Sequence, residues 1–379
     1  MKLLMNTCWL VLVCCFACGG EEEKETPVLT SLTIVESPFK LDLNETVKLT
    51  IKGMDQNGSE IDITDEVLWS SSESNASIDQ SGSVTGQAEG DVTITASVDD
   101  ISTSIDIRVW DSAAPRIEIY VTDAARFNNG GPYKVIRYDE DGGFAETLID
   151  SNLGWPQDIV FLEDKGTMLV SNLSTNSIDK FDISSGAHKG AFAAVSNGPT
   201  RMKIGPDNLL YVLQWNNSAG VLRFNLDGTF VDSFTSIGVN QAIGMDWDAS
   251  GNFYVSSFQG TVRKFDSEGN DLGVFISSNI QGPTNIWIPQ NSGMLVLDWK
   301  AGTIQKFDMD GSFVGTFATG LSQPEGIDRL PNGKFLVGNG KASTVNIFSS
   351  EGTPEGTLFS GGFGSLIQPN GVVIRLVNY

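Results

Sequence analysis

From residue 117 onward the chain repeats one pattern six times, with a spacing of about 42 residues. In each unit a valine follows a bulky apolar or aromatic residue: Val121, Val170, Val212, Val255, Val296 and Val337. An aromatic residue comes next, at Tyr138, Phe181, Phe224, Phe265, Phe307 and Phe348. A glycine follows four or five residues later, at Gly142, Gly186, Gly228, Gly269, Gly311 and Gly352. A repeat of this length indicates small supersecondary units that bury their apolar faces against one another.

A proline opens a further strand in five of the six units, and Asn240 stands at that place in the remaining one. The prolines are Pro156, Pro199, Pro283, Pro324 and Pro369. This order of strands, glycine turn and proline predicts the four-stranded blade of a β-propeller, and it resembles NHL-type repeats throughout residues 117–379. Residues 117–122 correspond to a second strand, and residues 371–376 correspond to a first strand without a partner. We therefore predict that these two segments complete one blade and close a ring of six, which leaves no sheet edge unpaired.

Residues 28–110 follow a different rule, because short strands that alternate apolar and polar residues are separated there by polar turns. The clearest segments are Val67-Leu68-Trp69-Ser70-Ser71-Ser72, Gly82-Ser83-Val84-Thr85-Gly86 and Gly90-Asp91-Val92-Thr93-Ile94-Thr95-Ala96. They closely resemble the group 2 bacterial Ig-like domain. The resemblance implies a β-sandwich with Trp69 in its core and a role as a spacer or adhesive module. With residues 111–116 as a linker, the whole chain is predicted to be all-β, an Ig-like sandwich followed by a six-bladed propeller.

The N-terminus carries Lys2 and then an almost wholly apolar run that is shorter than the about 20 residues needed to span a bilayer. Its last residues, Cys15-Phe16-Ala17-Cys18, resemble the lipobox of bacterial lipoproteins, in which the final cysteine is lipidated. We therefore predict a signal peptide at residues 1–17, a lipid anchor on Cys18 and an acidic tether at residues 18–27. The alternative is a plain secretory signal that is cut nearby. Glutamates at positions 21–23 resemble the surface-export signal of Bacteroidota lipoproteins, which implies the outer face of the outer membrane.

The amino-acid composition limits the kinds of chemistry and of partner that the protein can have. All four cysteines lie within the first 18 residues, so the remaining chain has no thiol pair for a disulfide, a metal site or catalysis. The formal net charge is −23, and so acidic a surface repels nucleic acid and anionic lipid headgroups. We therefore expect no nucleic-acid partner, and membrane contact through the lipid anchor only.

Two sets of residues are candidates for the mouth of the central channel. A polar residue lies two positions after each marker valine: Asp123, Asn172, Gln214, Ser257, Asp298 and Asn339. The favoured interpretation is that these side chains bind neighbouring loop backbone, and the alternative is contact with a ligand. Aromatic rings follow in three successive units, at Trp215, Phe258 and Trp299, and Trp155 precedes a marker proline. These four rings predict a wall that suits sugars or aromatic side chains, with packing between blades as the alternative.

A third set lies where the inner strands begin: Asp158, Arg201, Gln241, Asn285, Glu325 and Asn370. Propellers that resemble gluconolactonases hold Ca²⁺ at this place, and Asp158, Asn285, Glu325 and Asn370 are the candidate ligands here. Arg201 on the same ring would repel the ion, so we predict a hydrogen-bonding pocket without metal or other cofactor. The single histidine, His188, is placed in a turn on the opposite face, and catalysis that depends on histidine is therefore disfavoured.

These observations predict a lipid-anchored binding protein of the cell surface, with a glycan or protein ligand on the propeller face and the Ig-like domain as spacer. The alternatives are a metal-dependent lactonase or lyase and a purely structural protein-docking module. The predicted ligand-binding residues are Trp155, Asp158, Arg201, Gln214, Trp215, Phe258, Asn285, Asp298, Trp299 and Glu325.

Overall fold

The computed structural model describes residues 26–36, 40–63, 66–127, 129–289 and 293–378. Their regular structure is β-strand, with three short 3₁₀ helices, which confirms the predicted all-β class. The chain divides between Ser112 and Ala113 into two compact units. No helix in the described ranges has the length and apolarity that crossing a membrane requires. Cys18 and the predicted signal and acidic run lie outside the described residues.

The described part of the N-terminal unit contains ten short strands whose apolar side chains share one core. The strands are β1 (Leu29–Glu36), β2 (Lys40–Asp42), β3 (Thr46–Lys48), β4 (Thr50–Asp55), β5 (Glu60–Ile61), β6 (Leu68–Ser71), β7 (Ala76–Ile78), β8 (Ser83–Gly86), β9 (Gly90–Val98) and β10 (Ile101–Trp110). They form sheets in the orders β1-β4-β5, β2-β10-β9-β6 and β3-β8-β7. Leu41, Val84 and Ile94 are fully buried in the core, and Trp69 is buried with them, as the sequence predicts.

The C-terminal unit consists of six four-stranded sheets, which are numbered here as blades 1 to 6. Blade 1 contains β11 (Arg116–Asp123), β12 (Lys134–Asp139), β13 (Ala145–Ile149) and the last strand of the chain, β34 (Pro369–Val377). Blade 2 contains β14 (Pro156–Leu162), β15 (Thr167–Asn172), β16 (Ser177–Asp182) and β17 (His188–Ala194). Blade 3 contains β18 (Pro199–Ile204), β19 (Leu210–Gln214), β20 (Leu222–Phe224) and β21 (Phe230–Ser233).

The other three blades repeat the same order of strands. Blade 4 contains β22 (Ala242–Trp247), β23 (Phe253–Ser257), β24 (Thr261–Phe265) and β25 (Asp271–Ile276). Blade 5 contains β26 (Pro283–Trp287), β27 (Met294–Asp298), β28 (Thr303–Phe307) and β29 (Phe313–Ala318). Blade 6 contains β30 (Pro324–Arg329), β31 (Phe335–Asn339), β32 (Thr344–Phe348) and β33 (Pro354–Phe359). The 3₁₀ helices are Glu163–Lys165, Gly340–Ala342 and Phe363–Ser365.

The ring closes where the sequence predicts. Strand β34 pairs antiparallel with β11, and this register sets Ile374 opposite Ile119 and Val373 opposite Tyr120. The first strands of successive blades, β34, β14, β18, β22, β26 and β30, contact one another in a complete circle. These strands line the central channel, and the six marker aromatic residues are buried between blades.

The marker glycines are needed where each blade touches its neighbour. All six lie in the turn between the third and fourth strands with φ between 68° and 96°, a region that favours glycine. A β-carbon on Gly269 would stand 2.1 Å from the carbonyl oxygen of Phe234 in the preceding blade, and one on Gly352 would stand equally close to that of Phe317. The repeated glycine therefore allows the close approach of adjacent blades as well as the turn itself.

The prolines mark the first residue of the inner strand in five blades, and blade 4 differs from the prediction. Ala242 pairs with Ser257 there, as Pro156 pairs with Asn172 in blade 2. The equivalent residue is therefore Ala242 and not Asn240, because the loop that enters β22 extends two residues further. Gln241 accordingly precedes the inner strand.

Candidate functional site

Five aromatic rings line one cavity of about 210 Å³ at the mouth of the propeller channel. Four of them are the predicted Trp155, Trp215, Phe258 and Trp299, and the fifth is Phe127. Phe127 lies 5.8 Å from Trp155 and 6.4 Å from Trp299, measured between ring centroids. Phe258 lies 5.6 Å from both Trp299 and Trp215. The five half-buried rings thus form a continuous series, which we call the aromatic collar.

The strand ends place the collar at the mouth. Trp215, Phe258 and Trp299 directly follow the last residues of β19, β23 and β27. Their backbone N–H groups donate to the carbonyls of Gly198, Gln241 and Gly282, in the loops that enter the inner strands of the same blades. Each ring is therefore fixed where its blade borders the channel.

Phe127 was missed by the sequence analysis, although the sequence contains a signal for it. Val121 and Val170 are 49 residues apart, whereas the later markers are 41 to 43 apart. The extra residues lengthen the loop after β11, in which Phe127 has φ of 57°. The Tyr133 hydroxyl donates to the Phe127 carbonyl oxygen at 2.8 Å and holds the loop.

The polar residues after the marker valines bind loop backbone, which is the interpretation that the sequence favours. The buried Asp298 carboxylate accepts backbone hydrogen bonds from Gln281, Gly282, Lys300 and Ala301. Gln214 donates to the Gly220 carbonyl at 2.6 Å and accepts from Asn197. The other four also bind loop backbone: Asp123, Asn172, Ser257 and Asn339.

Gln214 and Asp298 were predicted as ligand contacts, and they do not line the aromatic cavity. Their polar atoms are engaged in the loops that carry Trp215 and Trp299, since a loop closed over a buried backbone needs such partners. Both residues therefore position the loops that carry two rings of the collar.

The floor of the cavity is formed by the second residues of four inner strands: Gln157, Ile243, Thr284 and Glu325. The Thr284 hydroxyl donates to the Pro324 carbonyl oxygen at 2.8 Å, and the Gln157 amide lies 3.4 Å from the Trp155 carbonyl oxygen. The buried indole Nε1 of Trp155 has no hydrogen-bond partner among the described residues. The cavity is consequently apolar on its walls and has few free polar groups.

Glu325 is the charged residue of this floor. It is 8% exposed, and burial raises its pKa to about 7 although the nearby Arg201 guanidinium lowers it. Arg201 Nη2 lies 3.8 Å from Glu325 Oε1, beyond hydrogen-bond distance. No described residue donates a hydrogen bond to this carboxylate, so it remains available to a ligand.

Arg201 itself is held by backbone. It is 4% exposed and donates to the carbonyl oxygens of Gln157 and Asn370. Its Nε and the Asn370 side-chain oxygen are buried without partners among the described residues. Arg201 therefore lies behind Glu325 and does not line the aromatic cavity.

Three predicted site residues, Asp158, Arg201 and Asn285, line a second cavity of about 350 Å³ instead. They lie one position further along their inner strands than the floor residues, and the pairing register is irregular at this point. Adjacent residues consequently face different levels of the channel. Asp158 accepts a hydrogen bond from Met202 N at 2.9 Å, and burial raises its pKa against the effect of Arg201.

The four residues proposed as ligands for a metal do not line one common cavity, and Asn370 lines neither of the two. Glu325 lies on the floor of the aromatic cavity, whereas Asp158 and Asn285 line the second cavity. Within the described ranges, no three His, Cys, Asp or Glu side chains are grouped so that they could hold an ion. His188 begins β17, with its Nε2 atom 3.1 Å from the Asp179 carboxylate, and lines neither cavity.

Comparisons with known proteins agree with this architecture. Residues 29–107 match the family model of the bacterial Ig-like domain, group 2. No curated protein matches the chain. Among solved structures, one chain of a nidogen/laminin complex is similar at 12% identity and a TM-score of 0.57, over 69% of this chain and 100% of that one. A protein of unknown function from Bacteroides caccae is similar at 14% identity and a TM-score of 0.53, over 70% and 100%.

At these identities the likeness to solved structures concerns the fold alone. The family match and the sheet order together fix the two parts of the molecule. Residues 29–107 form a group 2 bacterial Ig-like domain, and the C-terminal unit is a six-bladed β-propeller.

Proposed function

We propose that this protein is a lipid-anchored binding protein of the bacterial outer membrane, with an NHL-type propeller that binds a glycan or protein ligand in the aromatic cavity. The observation that carries the proposal is the aromatic collar. Five half-buried rings from five blades border one cavity instead of being covered by neighbouring side chains. Concave, mostly apolar cavities with a few polar groups are the usual form of a binding site.

Binding is tested by titrating the full chain with a panel of polysaccharides and surface proteins while tryptophan fluorescence is recorded. A ligand of the collar should change the fluorescence, and Trp299→Ala should weaken its binding at least tenfold. Trp110→Ala is the matched control, because it also removes one indole but lies in the Ig-like domain. Equal binding by wild type and Trp299→Ala would place the ligand elsewhere.

The anchor is a separate part of the proposal, and it rests on Cys18 and the glutamates at positions 21–23. One lipidated residue can attach a chain to a membrane without spanning it. We expect wild type to fractionate with outer membranes and to be digested by protease added to intact cells. Cys18→Ser should remove it from the membrane fraction, and replacing the three glutamates by alanine should remove the protease sensitivity alone. Membrane retention of the Cys18→Ser chain contradicts the anchor.

One observation favours the docking-module alternative. The fourth strands of blades 3, 4 and 5 expose pairs of large apolar side chains: Phe230, Val231, Leu272, Val274, Phe313 and Val314. Exposed apolar residues on neighbouring elements are typical of protein interfaces. A partner that docks there would be lost with Leu272→Glu and retained with Trp299→Ala, which distinguishes it from a ligand of the collar.

A further inference from the structure

The shape of the collar favours a compact, rounded ligand group. Neighbouring rings are inclined to one another by 49° to 73°. No two neighbouring rings therefore form a common flat platform. Inclined rings around one small cavity instead direct several π faces and edges at a single group.

The floor provides few hydrogen bonds for a sugar. Thr284 and Gln157 each already donate a hydrogen bond to a backbone carbonyl, and the buried Trp155 indole N–H is not accessible, so Glu325 carries the one side-chain group of the floor that makes no hydrogen bond to the described residues. A pyranose carries several hydroxyl groups, and each one that is buried without a partner costs about 1–3 kcal/mol. The cavity thus suits a group that needs no hydrogen bonds of its own.

The decisive observation concerns the charge of the residues that line the cavity. Glu325 is the one formally charged residue among the described residues that line the cavity. The residue is 8% exposed, and none of the described residues donates a hydrogen bond to its carboxylate. Arg201 approaches it only from behind, at 3.8 Å. A buried carboxylate beneath aromatic faces is complementary to a cation.

The protein itself shows that a ring of the collar accepts a cation. The Lys300 ammonium lies 4.7 Å from the centroid of the Phe258 ring. It is steadied there by the carbonyl oxygens of Phe258 and Gln281, and it does not line the cavity.

We propose that the aromatic cavity binds a methylated ammonium group, with the five rings around its methyl groups and Glu325 as counter-ion. This inference rests on the proposed function, since it names the chemical group that the collar takes. A methylated ammonium spreads its charge over its methyl groups, donates few or no hydrogen bonds and is attracted by aromatic faces within about 6 Å. Choline, a phosphocholine substituent on a glycan and a trimethyllysine on a protein all carry it.

The test compares choline with 3,3-dimethyl-1-butanol, the neutral molecule of the same shape, by calorimetric titration of the full chain at about pH 8.5, where the Glu325 carboxyl is ionised. Choline should bind at least tenfold more tightly, because both fill the cavity but only choline is attracted by the rings and the carboxylate. Glu325→Gln should reduce this preference severalfold, whereas the exposed Glu140→Gln should leave it unchanged. Trp299→Ala should weaken choline binding both in the wild-type chain and in the Glu325→Gln chain.

The outcomes separate this inference from the proposed function. Equal affinities for choline and its neutral analogue in wild type overturn the cation site, and this comparison needs no variant to fold. Binding of unmodified polysaccharide that depends on Trp299, without choline binding, overturns the cation site and leaves the proposed function intact. No binding of any ligand by the collar overturns both. A phosphocholine-bearing glycan and a trimethyllysine peptide, titrated in parallel, identify the source of the group.

Discussion

Replacing Glu325 by glutamine should stabilise the propeller above neutral pH. Glutamine has nearly the same shape as a protonated glutamic acid, so the variant reproduces the neutral form of the side chain at every pH. Burial raises the pKa of Glu325 from an ordinary 4.5 to about 7. The stabilisation associated with the protonated carboxyl is therefore complete below about pH 4.5 and is lost as the pH rises through about 7.

The magnitude follows from the difference in pKa between the unfolded and folded chain. Each pH unit of difference corresponds to about 1.4 kcal/mol. Ionising the folded carboxyl thus costs about 3 kcal/mol above pH 7, and this value already includes the attraction of Arg201. For a unit of this size, such a change in unfolding free energy raises the melting temperature by about 6–10 °C.

The assay is thermal and urea unfolding of the full chain at about pH 4 and about pH 8.5, followed by tryptophan fluorescence. Five of the eight tryptophans lie in the propeller and report on its transition. Wild type and Glu325→Gln should unfold alike at the lower pH and differ by about 3 kcal/mol at the higher one. Glu140→Gln, in an exposed turn, controls for the loss of one negative charge. A variant that is equally destabilised at both pH values would refute the reasoning.

Three further predictions concern the propeller's architecture. Gly269→Ala should lower the unfolding free energy by at least about 1 kcal/mol more than Gly273→Ala does. Both glycines have positive φ, but only Gly269 lacks space for a β-carbon. Equal melting points of the two variants would contradict this prediction. Asp298→Ala should lower the unfolding free energy by about 3–4 kcal/mol by freeing four backbone N–H groups, whereas Asp310→Ala in an exposed turn should change it little. Deletion from Pro369 onward should abolish cooperative propeller unfolding in calorimetry, since blade 1 then lacks its inner strand and one edge of β11 is left unpaired; an unchanged transition would count against closure through β34.

The repeat predicts the fold because each marker has the same local role in every unit. The glycines allow a left-handed turn and a close carbonyl in all six blades, and the aromatic residues fill the space between blades. Such roles depend on a few neighbouring residues, so they are visible as a period in the sequence. The pairing of β34 with β11 then follows from counting strands.

Only part of the candidate site could be predicted from the sequence repeat. Trp155, Trp215, Phe258 and Trp299 could be grouped because they occupy equivalent positions near strand ends. Phe127 belongs to a loop with no counterpart in other blades, and its direction depends on a backbone conformation that the sequence does not encode as a repeat. The levels of Asp158 and Glu325 along the channel depend on the irregular register after the marker residue, which shifts neighbours to different cavities.

The contacts between blades explain why Glu325 is free to face the cavity. In blades 1, 3 and 5 the residue after the marker bonds to the marker carbonyl of the following blade, through Asn370, Thr200 and Thr284. In blades 2, 4 and 6 a carboxylate further along the inner strand accepts a backbone N–H from the following blade, through Asp158, Asp246 and Asp328. The two kinds of contact alternate around the ring.

Blade 6 is therefore attached to blade 1 by Asp328, which accepts a hydrogen bond from Ile374 N at 2.7 Å. In blades 1, 3 and 5 the side chain after the marker residue makes the hydrogen bond to the following blade. In blades 2, 4 and 6 the side chain at this position makes no such bond. The position is filled there by Gln157, Ile243 and Glu325, and all three lie on the floor of the aromatic cavity. A buried carboxylate that makes no hydrogen bond to the following blade, and whose ionisation costs stability at neutral pH, is what the proposed cation site requires.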